Sequence, residues 1–330
     1  MLKGLYLLNA DAFPIIYGEP ERRDIERLVA IDVPPQTIAS VQADPAVLAG
    51  IDVIFSGWGM ATMDEAFLAA APRLKVLFYG SGSIRGLVTD ASWERGILVT
   101  SAYAANAVPV AEYTLSQILF SLKHGWRFAL TIKRDGAYPP KTPVPGAYGS
   151  TVGLISLGMI GRMVVERLKT FDLQIIAYDP FVDAAEGRRL GIEMVPLMEV
   201  FERADVVSLH TPWLKETEGM ITGAHFAAMK PGATFINTAR GAIVREPEMI
   251  GVLQQRPDLF AVLDVTYPEP PEPGSPLYTL PNIILTPHIA GSMDNECRRM
   301  GRYMVDELQR YLAGEPMHWA ISRERAALLA

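Results

Sequence analysis

The chain has one cysteine, Cys297. That scarcity excludes a disulfide framework and a Cys-based metal site, and no metal is expected. A chain without disulfides fits a reducing compartment. Long apolar runs are also missing. A membrane span needs roughly 18 apolar residues, and the longest candidate, Val108 to Leu122, is interrupted by Glu112, Ser116 and Gln117. The N-terminal apolar stretch is short and meets Asp11 too early for a signal peptide. The expectation is a cytoplasmic protein with no membrane partner. An excess of basic charge is absent as well. The formal net charge is −7, whereas a nucleic-acid footprint would be basic and clustered.

What is there is apolar and periodic. Hydrophobic residues make up 49% and charged residues 20%, the balance of a well-packed globular chain. With 330 residues, about two domains are expected at roughly 150 residues each. Short apolar runs read as buried strands at Leu5–Leu8, Asp52–Ser56, Lys75–Tyr79 and Ile97–Thr100, with helical patterns such as Glu19–Val29 and Met63–Ala71 between them. A long amphipathic stretch, Ala107–Lys123, and a loop rich in Pro and Gly, Asp135–Gly149, follow. A second alternating series then runs from Thr151 to about Thr286, and Asp294–Leu312 closes the regular part with Met300, Tyr303, Met304, Leu308 and Tyr311 at helical spacing. Strands alternating with helices imply βαβ units and parallel sheets.

The second series opens on a nucleotide-binding signature. The strand Thr151–Ile155 leads into Ser156-Leu157-Gly158-Met159-Ile160-Gly161, then a helix, a strand Gln174–Tyr178, and Asp179 at its end. This context makes a dinucleotide fingerprint credible. Gly158 lets the backbone approach the pyrophosphate, Gly161 lets helix pack on strand, and the helix N-terminus favours phosphate. Asp179 is expected to accept hydrogen bonds from the adenosine ribose. A carboxylate there repels a 2′-phosphate, so the expected cofactor is NAD rather than NADP. Serine at position 156, where the fingerprint has its first glycine, costs on the order of 1 kcal/mol if that position needs positive φ.

Three further strand-like runs, Ala233–Asn237, Phe260–Val265 and Ile283–Thr286, are followed by Arg240, Glu269 and His288. In open parallel sheets, ligands bind outside the carboxyl ends of the strands. A cation, a carboxylate and an imidazole delivered there suit the reduction of a carbonyl next to a carboxylate.

These residues resemble the D-isomer-specific 2-hydroxy acid dehydrogenase family. The resemblance rests on Asn106-Ala107-Val108-Pro109-Val110-Ala111-Glu112, the glycine turn with Asp179, His210-Thr211-Pro212, Met229–Gly232, Asn237-Thr238-Ala239-Arg240-Gly241, Asp264 through Glu269-Pro270, and Thr286-Pro287-His288. It implies two α/β domains of Rossmann or flavodoxin type with parallel sheets. The substrate domain is then discontinuous, at 1–101 plus 296–330, with an NAD-binding domain at 102–295 and a homodimer built mainly on the latter. It implies an oxidoreductase that interconverts a small 2-keto acid and its D-2-hydroxy acid. His288 would be the acid and base, suited to both directions by histidine's ordinary pKa. Glu269 would be its partner, and Arg240 would bind the substrate carboxylate and carbonyl. His210, Thr211, Pro212, Thr238 and Ala239 would line the cofactor. Asp264 would contact the nicotinamide carboxamide or support the site. On the substrate side, the loops containing Trp58-Gly59 and Ser81-Gly82 offer backbone amides to a carboxylate. Arg85 adds a cation near the substrate or faces solvent. A non-catalytic NAD(H)-sensing protein on the same scaffold is the alternative, and the intact Arg–Glu–His set argues against it.

Overall fold

The computed structural model describes residues 1–328; Leu329 and Ala330, the last positions of the expected first domain, lie outside them. The chain divides into two compact units, one made of Met1–Ala107 and the residues from Ser292 onward, the other of Val108–Gly291. Both are α/β. The change of unit falls inside the unbroken helix Tyr103–Leu122. The first turn of that helix belongs to the first unit, where Asn106 Oδ1 accepts from Ser292 N at 2.8 Å.

The first unit holds β1 (Gly4–Leu7), β2 (Val53–Ser56), β3 (Val76–Tyr79) and β4 (Leu98–Ser101), parallel and in that order. A sheet covered on both faces needs strands that are apolar throughout. That is why these four runs are legible and nearly all of their residues are buried. A short strand, Ala320–Ile321, adds to β4 antiparallel. On one face Phe55 stacks on Phe78 with ring centroids 5.2 Å apart. The helix Cys297–Ala313 lays Met300, Met304 and Leu308 into the same cluster, with Tyr303 and Tyr311 at its margin. Asp64 accepts from Phe67 N and so starts the next helix at Glu65, two residues later than the apolar pattern alone suggests.

The second unit is a seven-stranded parallel sheet: β5 (Thr151–Ile155), β6 (Gln174–Tyr178), β7 (Glu193–Met194), β8 (Val206–Leu209), β9 (Thr234–Asn237), β10 (Phe260–Leu263) and β11 (Ile283–Leu285). The order across the sheet is β11-β10-β9-β8-β5-β6-β7. The chain moves outward from β5 to β7, then returns to β8 on the other side of β5. The strand order reverses between β5 and β8, which places a crevice outside their carboxyl ends. A helix the sequence did not announce, Gly125–Asp135, follows Leu122 after a break at His124, whose φ is +50°. None of its residues is fully buried. Among the described residues, no helix is long and apolar enough to cross a membrane.

Candidate active site

The glycine turn lies at the reversal point. Ser156 N donates to Tyr178 O at 2.8 Å, tying the turn to the end of β6. Asp179 closes it: Leu157 N donates to Oδ2 at 2.7 Å and Phe181 N to Oδ1 at 2.8 Å. Each carboxylate oxygen can accept a second hydrogen bond, so both keep capacity for a ligand hydroxyl. Gly158 caps the helix Met159–Leu168 with no side-chain cap, and a Cβ built on it would meet nothing within 4 Å. Gly161 is the opposite case, since a Cβ there would sit 2.2 Å from Ser156 O. Arg162, which sequence reasoning passed over, braces the turn through Nε to Leu157 O at 2.8 Å and an ion pair to Glu186 at 2.6 Å.

Across the reversal, β8 is followed by His210, Thr211 and Pro212. His210 is buried, and burial pushes its imidazole down to about 4, so the ring is neutral at physiological pH. Its Nε2 lies 3.1 Å from Ser208 Oγ, while Nδ1 and the neighbouring Thr211 Oγ1 are buried without a partner. Buried polar atoms of that kind are rare in native proteins.

Arg240, Glu269 and His288 follow β9, β10 and β11, which are adjacent and parallel. All three therefore sit at the same edge of the sheet. Asn237 shapes the first turn, with Nδ2 donating to Arg240 O at 3.0 Å and Oδ1 accepting from Ala239 N at 2.9 Å. Arg240 is half-buried and its Nη1 donates to Ala239 O at 2.6 Å. Thr238 Oγ1 lies 3.0 Å from Thr114 Oγ1. His288 Nδ1 is 2.6 Å from Glu269 Oε1. That short contact assigns the Nδ1 proton to the shared bond and leaves Nε2 for other work. Both side chains are partly open to solvent, and the pair borders a cavity of about 460 Å³ shared with Pro270, Pro271, Tyr278 and Thr286.

Asp264 is fully buried behind the pair. Its carboxylate accepts from Thr286 Oγ1 at 2.6 Å, Ile289 N at 2.9 Å and Ala290 N at 2.9 Å, and its carbonyl accepts from His288 N at 3.0 Å. Of its two expected roles, these contacts favour support of the site. Tyr113 was not singled out from sequence, and Thr286 and Asn237 stood there only as strand ends within matching segments, with no role given to either. The signals for Asn237 were a polar residue ending an apolar strand and its place in Asn237-Thr238-Ala239-Arg240-Gly241.

The first unit holds the other expected residues. Trp58 and Gly59 follow β2; Trp58 is partly exposed and its carbonyl accepts from Asn9 N at 2.8 Å. Gly59 has φ +88°, and a Cβ there would collide with Asn9. Ser81 and Gly82 follow β3, their carbonyls accepting from Ser101 Oγ at 2.8 and 2.6 Å.

Comparison with known proteins decides the family. Residues 116–290 match the NAD-binding domain of the D-isomer specific 2-hydroxyacid dehydrogenases. The chain belongs to that family. It is 33% identical over 254 residues to D-3-phosphoglycerate dehydrogenase of Mycobacterium tuberculosis, covering 77% of this chain and 48% of the relative. The chain thus spans about half the length of the phosphoglycerate relatives it matches. It is 35% identical to the (S)-sulfolactate dehydrogenase of Chromohalobacter salexigens, covering 76% of this chain and 81% of that one. In fold it is similar to the NAD complex of a D-isomer specific 2-hydroxyacid dehydrogenase from Lactobacillus delbrueckii ssp. bulgaricus, with a TM-score of 0.81 and 23% identity, covering 98% of this chain and 100% of that one.

The second unit of this family member is an NAD-binding domain, and its own geometry suits that cofactor. The open approach at Gly158, the uncapped helix start and the unpartnered buried atoms of His210 and Thr211 all lie at the reversal point. Ser156, where the fingerprint has glycine, adopts φ +77°. A non-glycine residue in that region costs roughly 1–2 kcal/mol. Glycine gives back part of this through its larger entropy loss on folding. S156G is therefore expected to raise stability by about 1 kcal/mol in urea titration; unchanged or lower stability would mean that the serine is not strained.

Proposed function

We propose that this protein is an NAD-dependent oxidoreductase that interconverts a small 2-keto acid and its D-2-hydroxy acid. The observation that carries the reading is the 2.6 Å His288–Glu269 pair at the same sheet edge as Arg240. Bound NAD supplies or accepts the hydride at the carbonyl carbon. Arg240 holds the substrate carboxylate and carbonyl oxygen with its planar fork of donors, which orients and polarises the carbonyl. His288 gives its Nε2 proton to the oxygen as negative charge develops there, and takes it back in the reverse direction. Glu269 accepts the Nδ1 proton, fixes the tautomer and stabilises the imidazolium. Asp179 selects NAD over NADP. Trp58–Gly59 and Ser81–Gly82 carry the substrate-binding role of the first unit.

The names of the relatives point to three-carbon acids with a second anionic group, so phosphoglycerate and sulfolactate join the candidates. The protein works as a homodimer in the cytoplasm. The exposed side chains of Phe120, Tyr138 and Tyr148 support an interface on the second unit.

The test mixes purified protein with NADH or NADPH and glyoxylate, hydroxypyruvate, pyruvate or 2-ketoglutarate, and with NAD and phosphoglycerate or sulfolactate. Turnover with at least one acid and a preference for NADH are expected. No turnover with any of them favours the NAD(H)-sensing alternative, and a preference for NADPH overturns the role of Asp179. Light scattering on the same preparation reads the mass, and a monomer removes the dimer.

A further inference from the structure

We propose that Tyr113 is a positioning residue for His288, acting through Thr286 and Asp264 on the backbone that carries the imidazole. The proposal rests on the reading of His288 as the acid and base. The contacts form one chain. Tyr113 Oη lies 3.0 Å from Thr286 Oγ1, Thr286 Oγ1 donates to Asp264 Oδ1 at 2.6 Å, and Asp264 gathers Ile289 N, Ala290 N and, through its carbonyl, His288 N.

The direction of the first link follows from a count of protons. A threonine hydroxyl has one hydrogen, and Thr286 gives it to Asp264. Thr286 is therefore the acceptor toward Tyr113, and the phenol is the donor. Burial raises the Tyr113 pKa above its ordinary value, so the phenol keeps its proton throughout the neutral range.

What needs holding is the backbone of His288, whose φ is +55°. A non-glycine residue persists in that region only where its surroundings over-determine it. Asp264 supplies this restraint, since it takes three bonds from the segment His288–Ala290. Its Oδ1 is shared between Ile289 N and Thr286 Oγ1. A hydroxyl whose lone pair is already engaged by Tyr113 is a better donor to that oxygen, because linked hydrogen bonds polarise one another. Loss of the phenol proton donor loosens the clamp at its far end. The Nδ1–Glu269 contact then samples orientations from which Nε2 is misdirected.

The experiment compares Y113F, T286V and T286S with the wild type, beside H288Q. Four quantities are read: kcat and KM for the keto acid, the NADH dissociation constant, the melting temperature, and the His288 ring cross-peak in a proton–carbon NMR spectrum, assigned by its loss in H288Q. For Y113F, kcat is expected to fall about 3- to 10-fold, the size of effect that losing one neutral hydrogen bond has. KM and NADH affinity stay within about 2-fold, and the His288 cross-peak moves. T286V has a larger effect of the same kind, and T286S, which keeps the hydroxyl, recovers most of the rate that T286V loses. A Y113F enzyme with wild-type kcat and an unmoved cross-peak overturns the proposal, as does a T286S enzyme as slow as T286V. The NMR readout does not depend on activity. A moved cross-peak together with full turnover in H288Q supports the positioning contact and overturns the acid–base role instead.

Discussion

H288Q is expected to lower turnover about 100- to 10,000-fold, the usual contribution of a positioned general acid–base group, while NADH still binds. The argument is one of bonds and location. The glycine turn, Asp179, His210 and Thr211 lie on or beside β5, β6 and β8, whereas His288 follows β11, four places away from β5 across the sheet. A change at the far strand should leave nucleotide affinity near its wild-type value. Glutamine keeps an amide able to meet Glu269, but it cannot release and recover a proton near neutral pH. E269Q is expected to fall between the wild type and H288Q, because the imidazole remains but loses the acceptor that fixes its tautomer. Stopped-flow turnover with NADH and fluorescence titration of NADH separate the two steps. An H288Q enzyme with more than a tenth of the wild-type rate would remove His288 from the chemistry. Lost NADH binding would mean that the residue is structural.

The sequence carried the sheets well because the physics is local there. A strand buried on both faces must be apolar throughout, so β1 to β4 and β9 to β11 stood out as runs bounded by polar residues. The residues just past those strands were legible for the same reason, since a polar residue ending an apolar run marks the carboxyl edge. The two-residue strand β7 and the edge strand Ala320–Ile321 left no pattern long enough to read. The helix Gly125–Asp135 was hidden differently. It follows another helix after the left-handed turn at His124, and it buries no residue fully, with Trp126 and Leu130 only partly covered against the core. Least legible were the contacts that fix the site. The Tyr113–Thr286 contact joins residues 173 positions apart. The positive φ of His288 lies on a residue that gives no local sign of it. Asp264 could be placed near the site from its strand, but its three donors could not be counted before the loop after β11 was seen.

The glycine turn gives the second large prediction, in which two similar substitutions part company. G161A should cost about 3 kcal/mol, the upper range for forcing an extra methyl into a packed position. Its Cβ would lie 2.2 Å from Ser156 O. That oxygen has little freedom to retreat, because Ser156 N is tied to Tyr178 O and the next residue is tied to Asp179. A drop in melting temperature of roughly 10 °C follows for a unit of this size. G158A should fold as well as the wild type, with a melting temperature within about 2 °C. Its φ of −67° and ψ of −164° are open to alanine, and the added methyl meets nothing in the protein. That open space is where the pyrophosphate must approach the backbone, so NADH affinity should fall at least about 10-fold. G161A therefore acts on the fold and G158A on the ligand, although the two glycines are three residues apart. A G158A protein that binds NADH like the wild type would show that the pyrophosphate does not pass over that glycine, and a G161A protein with an unchanged melting temperature would show that helix and strand can separate there at little cost.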